Sequence, residues 1–368
     1  MSRNTDVLVV GGGPAGLAAA IAARSKGFRV VVADGAQPPI DKACGEGLLP
    51  ETLKALRQLH IHIPLTQAFA LRGIRFIQSN FLVQAEFPSG SGLGVRRVDL
   101  HQQMIERAQE VGVELRWNTR VTGISSAGVT VGAETFAANW IIGADGINSR
   151  VRRWIGMQPS RLNRPRFAFR RHFRVPPWSE YVEVYWGNKG QAYVTGVNDR
   201  ETCVVLISQN QHARFGSIAR DFPELAQRLA SAPLAGSERG AITASQSLRC
   251  IYRGNVALVG DASGTLDAIT GEGLSLSFHQ ALALADSLEA GDLRLYQAAH
   301  RHITRQPIWM GRALLLLDRH PTLLGRVLRT FAAHPELFAR MLALHAGPPT
   351  SANLAATTAL LGWRLLTT

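Results

Sequence analysis

The chain opens on an apolar, β-branched run, Asp6 to Val10, that no turn residue interrupts. Unbroken rather than alternating hydrophobicity predicts a strand buried on both faces, as in a parallel sheet. An alanine-rich stretch, Leu17 to Lys26, then predicts a helix capped at its end by Gly27. Phe28 to Ala33 predicts a second buried strand. Further on, the pattern predicts a helix from about Pro50 to Leu59, strands at Gly73 to Gln78 and Phe81 to Phe87, and an amphipathic helix, Val98 to Val111, opened by Asp99. Short strands near Val113 to Trp117, Val121 to Ile124 and Val129 to Val131 suggest a small meander, and Asn139 to Ala144 another buried strand. From Arg166 to Ser208 the segments RFAFRRHFRV, YVEVYWG, QAYVTGV and TCVVLIS carry some one-face alternation. They predict antiparallel strands in a second sheet, joined by those of residues 73–87. Arg170, His172, Glu183 and Tyr185 on that sheet are expected to be solvated or paired across strands. VALVG, after Asn255, returns to a buried strand, followed by a helix from about Gly273 to Leu288. From Leu293 onward leucine-rich helices are punctuated by Pro307, Pro321, Pro335 and Pro348-Pro349. Such stripes are ordinarily core, a basic amphipathic helix lying on a membrane being the alternative.

Chemistry first enters at the turn after the first strand. Gly11, Gly13 and Gly16 stand at G-x-G-x-x-G spacing: one for the tight turn, one for backbone approach to a diphosphate, one for close helix packing. Pro14 suits the first helical turn, and the helix start with its dipole favours an anion. Asp34, at the end of the second strand, stands where an acid would hold ribose hydroxyls. Strand, glycines, helix, strand and acid in this order predict a dinucleotide site, without deciding between NAD and FAD.

Composition sets limits. At 368 residues, 46% hydrophobic and 18% charged, the chain is a globular protein with ample core volume. The net charge of +13 is nearly all arginine, spread without a nucleic-acid motif, so no nucleic-acid partner is expected. Cys44, Cys203 and Cys250 are odd in number and far apart, which suggests a reducing compartment without disulfides or zinc. No metal is expected, since the histidines lack ligand spacing. The first strand begins almost at once, leaving no room for a secretory leader, and no apolar run is long enough to span a membrane. A cytoplasmic protein is expected, with peripheral membrane contact as a further reading; ANLAATTALLGWRLL, Ala352 to Leu366, is the stretch that would make it or lid the pocket.

Three motifs in order, VLVVGGGPAG, WIIGADGINSRVRR (Trp140 to Arg153) and VALVGDASGTLDAITGEGLSLSF (Val256 to Phe278), resemble the superfamily of FAD-dependent aromatic hydroxylases and geranylgeranyl reductases. The resemblance implies a Rossmann-like α/β domain for FAD at residues 1–71, 95–160 and 250–290. An antiparallel substrate-binding sheet domain is expected at 72–94 and 161–249, and a helical segment at 291–368. It places the ADP half of FAD at Gly11, Gly13, Pro14, Ala15, Gly16, Asp34 and Gly35, Asp145-Gly146 near flavin and NAD(P)H, Gly260-Asp261 on the ribityl chain, and Arg97 within reach of the cofactor. Val121, Gly45 and Leu274 complete the expected contacts. Gly271-Glu272-Gly273 opens a helix whose dipole would stabilise a reduced flavin. With one dinucleotide fold, NAD(P)H is expected only as a transient co-substrate.

Cys44-Gly45-Glu46-Gly47 and Thr270-Gly271-Glu272-Gly273 look like the reductase branch. Its aromatic–Trp–Phe–Pro strand is missing, as are the His and Pro that hydroxylases carry where Gly264 and Ala268 stand. The leading expectation is hydroxylation of a hydrophobic, aromatic or polyketide-like substrate using molecular oxygen. Reduction of isoprenoid double bonds is the alternative, and a flavin-binding redox partner without turnover a third reading. Cys44 is expected against the isoalloxazine face and Glu46 as a group that orients or exchanges a substrate proton, the bland alternative being a plain glycine turn.

Overall fold

A computed structural model describes residues 3–79, 81–125, 128–160 and 165–346. The expected tail from Ala352 to Leu366 lies outside them. Arg3–Val10 is the centre of an eight-stranded sheet. Glu134–Gly143 and Val30–Ala33 flank it in parallel, Val9 opposite Ile142 on one side and Val32 on the other. Val256–Leu258 extends the sheet beyond Glu134–Gly143, with Tyr252–Arg253 at that edge. Glu114–Arg116, expected in a meander, instead pairs in parallel with Val30–Ala33 and forms the opposite edge. The meander is built by Val121–Ser125 and Gly128–Val131, folded back on the first half of Glu134–Gly143.

The helix Pro14–Ser25 is buried from Gly16 to Ala23. It is covered by the sheet and by Gly273–Glu289, and its alanines allow both to approach. Val7, Val9, Leu17, Ile21, Val32, Phe278 and Leu284 meet in this first core.

A seven-stranded sheet faces the first unit, in the order Arg239–Thr243, Arg166–Phe173, Thr202–Ser208, Gly190–Gly196, Tyr181–Trp186, Gly73–Gln78, Phe81–Glu86. All its pairings are antiparallel except that of Tyr181–Trp186 with Gly73–Gln78. The expected junction with residues 73–87 is therefore present. A small third sheet, Gly47–Leu48 with Gly92–Val95 and Ala68–Leu71, joins the two units. Its short, glycine-containing strands left no pattern to read. Gly94 has a steric reason: a Cβ there would stand 1.7 Å from the Gly196 carbonyl oxygen.

Three helices follow, Leu293–Arg319, Pro321–Ala333 and Pro335–Ala346. Pro321 and Pro335 occupy first turns, where no N–H is missed. Pro307, expected to punctuate, lies buried inside the first of these helices. Leu324, Val327, Phe331, Phe338 and Leu342 pack on Val83 and Val184 of the second sheet, so these leucine-rich faces are core. No helix among the described residues is long and apolar enough to cross a membrane.

Candidate functional site

The glycine turn has the predicted sterics. Gly11, at φ +111°, lies so close to the 144–145 turn that a Cβ would sit 2.5 Å from the Ala144 oxygen, and one on Gly16 would meet the Gly11 oxygen at 1.8 Å. Gly13 faces open space. Asp34 accepts from the Gly12 and Ala36 amides, each at 2.7 Å, and so braces the turn. His101, which the sequence did not single out, is fully buried beneath it. Its Nδ1 accepts from the Ile40 amide at 3.1 Å, so Nε2 donates to the Gly12 carbonyl at 2.7 Å. Burial holds this imidazole below its usual range, in its neutral form.

A cavity of about 760 Å³ runs from this turn across the seam between the two sheets to the C-terminal helices. Gly13, Pro14, Ala15, Cys44, Gly45, Glu46, Arg97, Gly146, Asp261, Gly271, Gly273 and Leu274 line it. Lys42, Ile147 and Asn148 join them, unpredicted as site residues. Gly11 and Gly16 shape the turn from behind. Gly260, at φ +60°, donates to Gln280 and packs against Ala15, setting Asp261 at the cavity edge. Gly35 is exposed behind Asp34, beside Arg120, and the Val121 side chain is in the meander core. The Asp145 carboxylate is committed elsewhere: it accepts from Ser149 Oγ and the Arg150 and Val151 amides, capping the helix Arg150–Trp154.

The residues fit FAD. A Cβ on Gly13, Gly45, Gly271 or Gly273 would meet nothing, which leaves a cradle for a ligand along exposed amides. Asp261 opens into this cradle without a hydrogen-bond partner among the described residues. Desolvation raises its carboxyl, while Lys42 and Arg97 pull it back. Arg97 Nε is likewise buried and unpartnered.

Glu46 is 2% exposed, at φ +59°. Its carboxylate accepts from the Arg97 amide at 2.9 Å and Arg170 Nη1 at 3.4 Å, and stands 2.5 Å from His172 Nε2. Arg170 continues to Asp41 at 2.7 Å, and Asp41 to Arg239 at 2.9 Å. Glu46 is therefore braced in a buried network, at the start of the helix Arg97–Glu110. The expectation of solvated polar groups on the sheet is corrected here: Arg170, His172, Glu183 and Tyr185 are all buried. Glu183 accepts from Arg75, Trp178 and Tyr185, so a local charge network outweighs solvation. Glu46, His172 and Cys203 converge closely enough to hold a metal, but Arg170 already supplies the cation there. Cys44 is a half-buried free thiol on the cavity wall, with the Glu46 amide 3.4 Å from its sulfur.

Beyond the glycines the cavity becomes an apolar chamber. Phe76, Val182, Val184 and Trp186 of the second sheet form one side, and Leu314, Leu317, Phe331, Phe338 and Leu342 the other. Glu272 and His345 are polar members of this wall. None of the chamber residues was legible as a group, because they come from segments far apart in the chain.

The profile of a family described as "FAD binding domain" matches residues 4–291. The digeranylgeranylglycerophospholipid reductase of Methanosarcina acetivorans is 30% identical over 295 residues, 73% of this chain and 71% of that protein. The hispidin-3-hydroxylase of Neonothopanus nambi is 33% identical over 169 residues, 42% of this chain and 40% of the other. Among solved structures, a flavoprotein/dehydrogenase of Cytophaga hutchinsonii superposes with a TM-score of 0.84 at 19% identity, covering 99% of this chain and 100% of its own.

Proposed function

Because this chain belongs to the FAD-binding domain family and is an FAD-dependent oxidoreductase, we propose that it hydroxylates a lipophilic substrate bearing an aromatic ring, with a reduced nicotinamide and molecular oxygen as co-substrates. The observation that carries this reading is the chamber, whose aliphatic and aromatic walls continue directly from the cofactor cradle. FAD, when bound, supplies the redox and oxygen chemistry. In this reading Gly13, Pro14 and Ala15 take the diphosphate, Lys42 and Arg97 supply positive charge, and Asp261 accepts from ribityl hydroxyls. The amides at Gly271 and Gly273 favour negative charge at the flavin's pyrimidine edge. Cys44 and Gly45 close one side of the ring, and the apolar walls exclude water from the reacting atoms. Glu46 holds the Cys44 loop through His172, Arg170 and the Arg97 amide, and so acts as a positioning residue.

The test is incubation of the purified, FAD-loaded protein with NADH or NADPH and lipophilic phenols or isoprenoids, with and without oxygen. A product heavier by one oxygen atom supports hydroxylation; a product that gains two hydrogens without oxygen overturns it. That second outcome is the reductase reading, favoured by the Methanosarcina relative and by the Cys44–Gly47 and Thr270–Gly273 motifs.

A further inference from the structure

The carboxyl groups on the cavity wall differ in how they are used. Asp267 is held by Arg166 at 2.8 Å, and Glu46 by His172, Arg170 and the Arg97 amide. Asp261 belongs to the cofactor cradle. Glu272 has no such partner. It stands between Gly271 and Gly273, ahead of the helix Gly273–Glu289, and is 8% exposed. Its Oε2 is buried without a hydrogen bond, and 3.5 Å away is His345 Nδ1, also buried and unpartnered. That separation is too long for the two to satisfy each other well. The Thr270 carbonyl accepts from the His345 ring, and since Nδ1 is unpartnered the bond falls to Nε2. Nδ1 is then a bare acceptor facing Glu272. Buried polar atoms left in this state cost stability, and nothing within the protein repays it.

We propose that Glu272 and His345 are the polar anchor of the chamber, a neutral hydrogen-bonding couple that takes one uncharged oxygen, a phenol hydroxyl or a carbonyl, of an otherwise apolar substrate. The proposal rests on the reading that this chamber receives the substrate. Burial alone pushes Glu272 up to about 8 and His345 down to about 4. Between those values the pair offers an acid O–H to donate and a ring nitrogen to accept. Among the described residues His345 is the one ionisable side chain within ion-pair distance of Glu272. Both residues share the wall with Met310, Ala313 and Leu314, so an oxygen reaching them brings an apolar body into contact with aliphatic side chains.

The test compares para-hexylphenol with hexylbenzene as ligands of the full-length, FAD-loaded protein, read by quenching of tryptophan fluorescence. One neutral hydrogen bond predicts that wild type prefers the phenol by about tenfold. Glu272→Leu and His345→Phe should abolish that preference, while Glu272→Gln, neutral and of the same shape, should keep it. In wild type the preference should fall as pH rises through about 8, and in Glu272→Gln it should stay flat. Should Glu272→Leu not fold, His345→Phe and the pH titration of Glu272→Gln decide. Protein that binds FAD and hexylphenol, yet prefers the phenol equally in the Leu and Phe variants, overturns the anchor alone. Protein that binds FAD but neither ligand overturns the chamber assignment and the anchor with it.

Discussion

Glu46 and Cys44 stand two positions apart in one loop, yet substitutions should separate them. Glu46→Gln takes the charge out of a buried network and leaves Arg170 without one of its carboxylates. Breaking a buried pair from one side costs about 3 kcal/mol or more, and urea unfolding should show it. Cys44→Ser should cost about 1 kcal/mol or less, leave flavin content unchanged, and alter product formation, measured by mass spectrometry. Asp261→Ala should weaken FAD binding by about tenfold or more, since a charge-assisted bond to a buried hydroxyl is lost; flavin absorbance per protein chain reads it. At this scale the sequence was most legible where chemistry needs no side chain, as at Gly11, Gly13 and Gly16. It misled where a carboxylate could serve two masters: Asp145 sits in a motif associated with flavin and nicotinamide but caps a short helix. Glu46 was singled out for its place beside a cysteine, and the partners that brace it lie over 120 positions away on another sheet, invisible to spacing.

The long helices were read to within a few residues because one apolar face repeats along each of them. Glu114–Arg116 was misplaced because three residues carry no period, and only the neighbouring strand decides whether they join a meander or an edge. The helix Leu293–Arg319 shows how such an element is fixed by what it touches. Tyr296 donates to the Leu258 carbonyl at 2.8 Å, and His300 Nε2 lies 3.0 Å from Ser263 Oγ. Burial lowers His300 from 6.5 to about 4. The unfolded chain therefore takes up a proton there first as pH falls, so His300 contributes stability above 6.5 that is lost on the way down to about 4. Wild type should lose stability relative to a His300→Asn variant across that interval and not above it, as measured by urea unfolding at stepped pH.

In the molecule as a whole, two sheets and a helical layer meet around one cavity. The presence of two sheets was readable from a change in hydrophobic pattern at Arg166, but the chamber was not, since its walls are assigned only once the units face each other. This architecture predicts that the cradle and the chamber can be altered independently. Leu317→Trp, a larger side chain on the helical wall, should lower the affinity for hexylphenol more than tenfold by filling part of the chamber, with flavin content unchanged. A parallel loss of flavin would show that the two ends of the cavity are not separable.

The cradle also has a history within each molecule's synthesis. Its diphosphate turn is made by residues 11–16, but Asp261, Gly271 and Gly273 are contributed by a segment more than 240 residues later. The strand Val256–Leu258 that delivers them pairs with Glu134–Gly143 across a similarly long stretch of chain. A growing polypeptide therefore leaves the ribosome with half a binding site, and the other half arrives only when the parallel sheet gains that strand. Free FAD can stabilise the finished protein but has little to grip before then. Its supply should govern how much completed chain survives, not how early folding begins.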